Sequence, residues 1–299
     1  MSFIMNVALH TFVAIINPMK NILILTDFSK NSWNSIKYTV SLFQNKSCNF
    51  HLLHAAASNL EEEFESIEDL KLRMAVDNSV QNFIKEFDKL TKKNSASPLN
   101  ETHAFTTFFD NNDVITATKN YLSNNDIDLI VIGTNGLSSK VETSISSISE
   151  AVITKVKCST LVVPKEAKFN GLNEIAFPTD FTNFYEAKLL ASIQFLSNFT
   201  NAFMRFLFLA KKSEKLDKEQ EWNKETLQDY FKDRPHSFHA KINTSLELSV
   251  EKFITKNNID LIIMAAKNLN LFEQILFRPN NNNISYYSKT PFLILHQSN

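Results

Sequence analysis

Glycine is scarce: the 299-residue chain holds only 3, at Gly133, Gly136 and Gly171. A chain that avoids glycine is expected to keep it where the backbone or a close approach demands it. Cysteine is rarer still. Cys48 and Cys158 cannot build a disulfide framework or a four-ligand zinc site, so small buried hydrophobes in a reducing, cytoplasmic setting are expected. An excess of one charge is also missing. Lys+Arg 31 stand against Asp+Glu 32, with no basic block to grip nucleic acid and no acidic tail. The apolar opening, Met1–Pro18, carries no Lys or Arg and is too short to span a bilayer comfortably, which argues against a secretory signal and a membrane span. Met19 is read as the natural start and residues 1–18 as an upstream extension, a short membrane-directed segment being the alternative.

Catalytic constellations are equally sparse. There is no Gly-x-Ser-x-Gly elbow and no complete Walker loop with its Lys. His51 and His54 lie three apart on an expected strand, so they face opposite ways and cannot share a metal. His236 and His239 fail for the same reason if Ser237–Lys241 is a strand. Asp27 has the chemistry of a general base, but a cap or a ligand hydrogen bond needs no reaction.

What the chain does have is a hydrophobic fraction of 43%, enough for the cores of two ordinary domains. Its most informative stretch is Asp128–Pro164. Leu129–Ile132 reads as a buried parallel strand that runs into Gly133-Thr134-Asn135-Gly136. A Ser-rich loop follows, then a helix from about Ser146 with Ile145, Ile148, Val152 and Val156 at helical spacing. Thr160–Val163 closes the unit as a second strand. Loop amides and a helix N-terminus in this order can hold an anion, most often a phosphate. The same residues also fit a tight turn without a ligand.

Before this unit the pattern is strand, helix, strand, helix. Asn21–Leu25 ends in Thr26-Asp27-Phe28-Ser29, where Asp27 and Ser29 are good helix caps. Trp33, Ile36, Val40 and Phe43 form the stripe of the next helix, and Phe50–Ala55 is the second strand. Leu60 to Leu90 reads as a long amphipathic helical region, broken at Ser95–Pro98. His103–Phe109 reads as a strand and Val114–Leu122 as a helix capped by Asn112 or Asp113. After the connector Lys165–Leu172 the pattern starts again. Pro178-Thr179-Asp180-Phe181-Thr182 repeats Leu25-Thr26-Asp27-Phe28-Ser29, and Phe206–Ala210 repeats the second strand. Asn257–Met264 repeats Asn125–Ile132, and Phe292–Leu295 repeats the closing strand. Such duplication predicts two doubly wound, parallel-sheet α/β domains in tandem, Rossmann-like in class.

These residues resemble the universal stress protein family. The carriers are Leu-Thr-Asp-Phe-Ser at the end of the first strand, Leu-Leu-His-Ala at the end of the second, the Asp128–Gly136 loop, and Lys157–Pro164. The resemblance covers both halves and implies a tandem member: 19–166 as one domain and 172–299 as a degenerate second. It implies the family's adenine nucleotide alpha hydrolase-like fold, a five-stranded parallel sheet with helices on both faces. It also implies ATP, with or without Mg, as the ligand, since many members bind ATP while others lack the motif. Gly133 and Gly136 match the first two motif glycines, Ser146 stands in place of the third, and Ser147 and Ser149 match hydroxyl positions. Thr26 and Asp27 fall beside the nucleoside and Ala55 beside the base. In the second half Ala265 and Asn268 replace the two glycines and Arg278-Pro279 replaces the Gly-Ser pair, so nucleotide is not expected there. The expected function is a stress-response regulator that binds an adenine nucleotide through its first domain. A scaffold that works through protein contacts is the alternative, and slow ATP hydrolysis a third reading. Domains of this family commonly pair through their closing edge strands, so the resemblance implies that Thr160–Val163 and Phe292–Leu295 meet antiparallel or nearly so, which also protects each other's edge.

Overall fold

A computed structural model of the protein describes residues 21–55, 85–92, 103–134, 147–210, 215–242, 246–267, 275 and 289–296. The chain begins there with β1 (Asn21–Leu25), whose Ile22 to Leu25 are buried on both faces. Helix α1 (Lys30–Leu42) follows, with Ser29 as its N-cap accepting from Ser32 N. Asp27 is not the cap; it lies two residues earlier and accepts from Ser29 N at 3.0 Å. Strand β2 (Cys48–Ala55) begins two residues before the expected start, because Cys48 is itself buried and pairs with His103. Residues 85–92 are helical; the helical expectation over Leu60–Phe83 and the break at Ser95–Pro98 lie outside the described residues. Strand β3 (His103–Asp110), helix α2 (Val114–Asn124) capped by Asp113, and β4 (Leu129–Gly133) complete the approach to the glycine loop. Helix α3 (Ser147–Lys155) and β5 (Thr160–Val163) close the first half.

The second half has the same order: β6 (Glu174–Thr179), α4 (Ala187–Thr200), β7 (Phe203–Ala210), α5 (Lys218–Phe231), β8 (His236–Ile242), α6 (Leu246–Asn257), β9 (Leu261–Ala265) and β10 (Phe292–Leu295). All ten strands form one sheet in the order β3-β2-β1-β4-β5-β10-β9-β6-β7-β8. Read outward from the centre, each half is the same five-strand arrangement. Among the described residues every pairing is parallel except one, β5 with β10, where Phe292 faces Val162 and Ile294 faces Thr160. The two closing strands thus meet antiparallel.

Alternation along the strands divides the core between the faces of the sheet. Ile22 and Ile24 belong to the cluster that holds Phe50, Val131, Phe177 and Phe206. Leu23 and Leu25 belong to the other, with Leu53, Ile130, Ile132 and Ile262. Each cluster runs through both halves. On the first face Phe43, the C-cap of α1, stacks on Phe199 of α4 at 6.0 Å. His51 contacts Tyr121 on one face while His54 packs on Phe28 on the other, which is the separation expected of residues three apart.

The repeated Asp has a structural use. Asp128 Oδ2 accepts from Asn21 N at 2.9 Å, tying the start of β1 to the strand beside it. Asp260 Oδ2 does the same for Asn173 N and Glu174 N at 2.8 and 3.0 Å. Cys48 and Cys158 are free and buried, and burial pushes each thiol up to about 12. Among the described residues no helix is long and apolar enough to cross a membrane.

Candidate functional site

The C-terminal ends of β1, β2 and β4 converge on one cleft, which the first residues of α1, α2 and α3 also border. It has a volume of ≈ 80 Å³, room for roughly half a dozen waters at ~10–15 Å³ each. Leu25, Leu53, Val114, Ile132 and Ile148 give it apolar walls, and Thr26, Asp27, Ser29, Asn31, Ser32 and Ser149 its polar ones. Ala55 and Gly133 complete the lining.

The turn after β1 is the most constrained part. Phe28 has φ 60, a left-handed backbone that non-glycine residues rarely adopt. Two contacts and burial hold it there. Its amide donates to Thr26 Oγ1 at 3.1 Å, its ring packs on His54 at 4.4 Å, and its side chain is buried. Thr26 Oγ1 in turn donates to Ser32 Oγ at 3.1 Å, and Ser32 Oγ donates to Ser29 O at 3.0 Å. His54 Nδ1 donates to Thr26 O at 2.8 Å, so the ring is neutral at Nε2 or charged. Burial holds its pKa below the usual imidazole range, opposed by the Thr26 carbonyl and the Asp27 charge.

Gly133 does not need the left-handed region. A Cβ there would stand 3.4 Å from Asn31 O and 3.7 Å from Ser32 N. Its lack of a side chain lets the end of β4 lie close to the first turn of α1. The glycine whose backbone does require that freedom is Gly171, with φ +99 in the connector between the halves. Gly133 O accepts from the buried Ser149 Oγ at 2.9 Å. Ser147 is the exposed first residue of α3, and Ala55 ends β2 opposite Asp110. Of the sequence-predicted site residues, Thr26, Asp27, Ala55, Gly133 and Ser149 therefore line one cleft. Ser147 sits beside Ile148 at its edge. Gly136 and Ser146 lie outside the described residues.

Sequence reasoning missed Ser32 and the apolar pair Val114 and Ile148. Ile148 reads as part of a core stripe, yet it is 42% exposed; its spacing gives no sign that the helix starts at a cleft.

The second half copies the turn and alters its surroundings. Phe181 has φ 58, its amide donates to Thr179 Oγ1 at 2.9 Å, and Asp180 Oδ1 accepts from Thr182 N at 3.1 Å. Six residues after the threonine, however, Tyr185 stands where the first half has Ser32. Its buried hydroxyl bonds Thr179 Oγ1 at 2.7 Å and its ring packs on Phe177 at 5.2 Å. Helix α4 starts only at Ala187, and Ala265, buried at the end of β9, replaces Gly133. Asn268, Arg278 and Pro279 lie outside the described residues.

Among the described residues no group of three His, Cys, Asp or Glu is placed to hold a metal. The sequence model of the universal stress protein family matches residues 18–164. Residues 18–164 belong to the universal stress protein family. The matched region contains β1 to β5 and the whole described cleft. No curated protein matches the sequence. Solved structures similar to this one include a universal stress protein from Archaeoglobus fulgidus, with TM-score 0.61, 13% identity, and 94% of this chain and 97% of that one covered. The functionally unknown protein PA1789 from Pseudomonas aeruginosa gives TM-score 0.57 and 12% identity over 93% of this chain and 92% of its own. At such identity these likenesses speak for the fold alone: a mostly parallel α/β sheet with alternating helices, as in the universal stress protein fold.

Proposed function

We propose that this universal stress protein binds an adenine nucleotide, ATP in the family pattern, in the cleft of its first half, and acts as a stress-response regulator in the cytoplasm. The observation that carries the reading is the cleft's position. It opens between β1 and β4, where the strand order reverses, at the carboxyl ends of parallel strands; open α/β sheets bind ligands at that point. In this reading Asp27 accepts from ribose hydroxyls, the backbone at Ala55 meets the base, and apolar walls cover its faces. Gly133, Gly136 and the serines 146, 147 and 149 border the phosphates. Mg, where present, would accompany the phosphates as part of the ligand. The domains divide as 19–166 and 172–299, with 1–18 as an extension. The second half does not bind in the same manner, since Tyr185 fills the place of Ser32 and Ala265 that of Gly133.

A second reading, a scaffold acting through protein contacts, is favoured by the modest size of the cleft, ≈ 80 Å³. Mass spectrometry of whatever is released from protein purified without added nucleotide separates the two. An adenine compound near one per chain supports binding. Empty protein that also fails to bind added adenine compounds supports the scaffold.

A further inference from the structure

The turn after the first strand of each half leads to a different surface. From Thr179 to the α4 cap Glu186 it is four residues longer than from Thr26 to the α1 cap Ser29. The added length brings in Phe184 and Tyr185. Tyr185 is buried against Phe177 and holds Thr179. Phe184 goes outward and stacks on Trp222 of α5, with ring centroids 5.5 Å apart and planes 23° apart. Stacking covers one face of each ring, yet Phe184 and Trp222 stay 47% and 55% exposed. The pair is also fixed in place. Gln220 Nε2 donates to Asp180 O and Asn223 Nδ2 to Phe181 O, each at 2.8 Å. These residues flank Trp222 in sequence and clamp the start of α5 onto the turn that carries Phe184. The Asp217–Gln220 capping box fixes that helix start. Rings already ordered lose little freedom on binding, and tryptophan is enriched where binding energy concentrates.

We infer that the Phe184–Trp222 pair is a docking surface for an arginine-bearing segment of a partner protein. Aromatic faces attract cations, and the planar guanidinium can also stack on them. The charge selects the same sign. Glu219 and Glu225, three residues before and after Trp222, lie on its side of α5. Both are exposed, and neither makes an ion pair among the described residues. Over the described residues 180–188 and 215–231, seven carboxylates stand against Lys188, Lys215, Lys218 and Lys224. Lys267 approaches from the end of β9 and pairs with Glu186 at 4.0 Å. In a twofold dimer through this patch the same carboxylates would face one another, which argues for a basic partner over a second copy of the chain. The inference does not depend on what the first half binds.

The test is fluorescence anisotropy of a labelled octapeptide of alternating glycine and arginine, titrated with the full chain, beside its lysine and glutamate counterparts. The arginine peptide is expected to bind, the lysine peptide about threefold more weakly, and the glutamate peptide not at all. Trp222→Ala should weaken the arginine peptide about tenfold. Trp222→Leu, which keeps the apolar cover over Phe184 but removes the π face, should lose nearly as much. Glu219→Gln combined with Glu225→Gln should weaken it about fivefold, and less at high salt. Arginine and lysine peptides bound alike, with Trp222→Leu equal to the parent, would leave charge alone and overturn the inference. Absence of binding by all three peptides overturns it too. A dimer of the parent that Trp222→Ala dissociates would assign the patch to a second copy and equally overturn it. None of these results touches the nucleotide reading, which concerns the other half.

Discussion

Thr26→Val asks how the chain holds a phenylalanine in a left-handed turn at the mouth of the cleft. Valine keeps the branched shape but deletes the acceptor for Phe28 N and the donor to Ser32 Oγ, each at 3.1 Å. Thr26 and Phe28 are 7% and 5% exposed, so water does not replace those partners. A buried amide left unsatisfied costs about 1–3 kcal/mol. The left-handed backbone itself costs about 1–2 kcal/mol and persists only while its surroundings enforce it. The extra methyl returns about 0.8 kcal/mol of apolar burial, which leaves a net loss of about 1–2 kcal/mol. Thr179→Val, in the second half, removes the acceptor for Phe181 N and also orphans the buried Tyr185 hydroxyl, so about 2–4 kcal/mol is expected. Urea denaturation followed by tryptophan fluorescence measures both losses, with Trp33 and Trp222 reporting one half each. The midpoint should fall without a change of slope. The reasoning is refuted if both variants stay within about 0.5 kcal/mol of the parent, or if Thr26→Val proves the costlier.

Further outcomes follow from burial. His51, His54 and His296 are each held below the usual imidazole range by burial; folding therefore disfavours their protonation, and stability, complete above the unfolded value of about 6.5, falls as pH drops below it. Urea midpoints should decline from about pH 7.5 to about pH 5.5, less steeply in His54→Phe. Cys48 and Cys158, each pushed up to about 12, should resist thiol reagents in the native protein and react at once in denaturant. Leu293→Ala, at a side chain 2% exposed and paired with Leu161 across the junction of the halves, should cost about 2–5 kcal/mol in the same urea assay.

The fold was legible because the duplicated segments have mechanical reasons that survive in sequence. Asp128 and Asp260 each tie down the start of a neighbouring strand, and Thr-Asp-Phe builds the same left-handed turn twice. Apolar runs such as Leu129–Ile132 gave the buried parallel strands, while the antiparallel meeting of β5 and β10 was placed from the family resemblance, with edge protection as its physical reason. Other features depend on partners far along the chain. Ser149 looks like a free hydroxyl in a serine-rich stretch, yet its proton is turned onto Gly133 O. Gly133 looks like a turn glycine, but what it permits is proximity to Asn31, more than a hundred residues earlier. Tyr185 could not be read as the replacement for Ser32, because the two sit in segments whose helices start at different distances from the turn.

The central claim, an adenine-compound site confined to the first half, meets its most direct test in calorimetric titration of adenosine into the parent and into Ala55→Leu. Leucine at the end of β2 would extend into the lined cleft. The account predicts one site per chain in the parent and at least about a tenfold loss of affinity in the variant, about 1.4 kcal/mol. Two equivalent sites per chain, or an affinity that Ala55→Leu leaves unchanged, would contradict it.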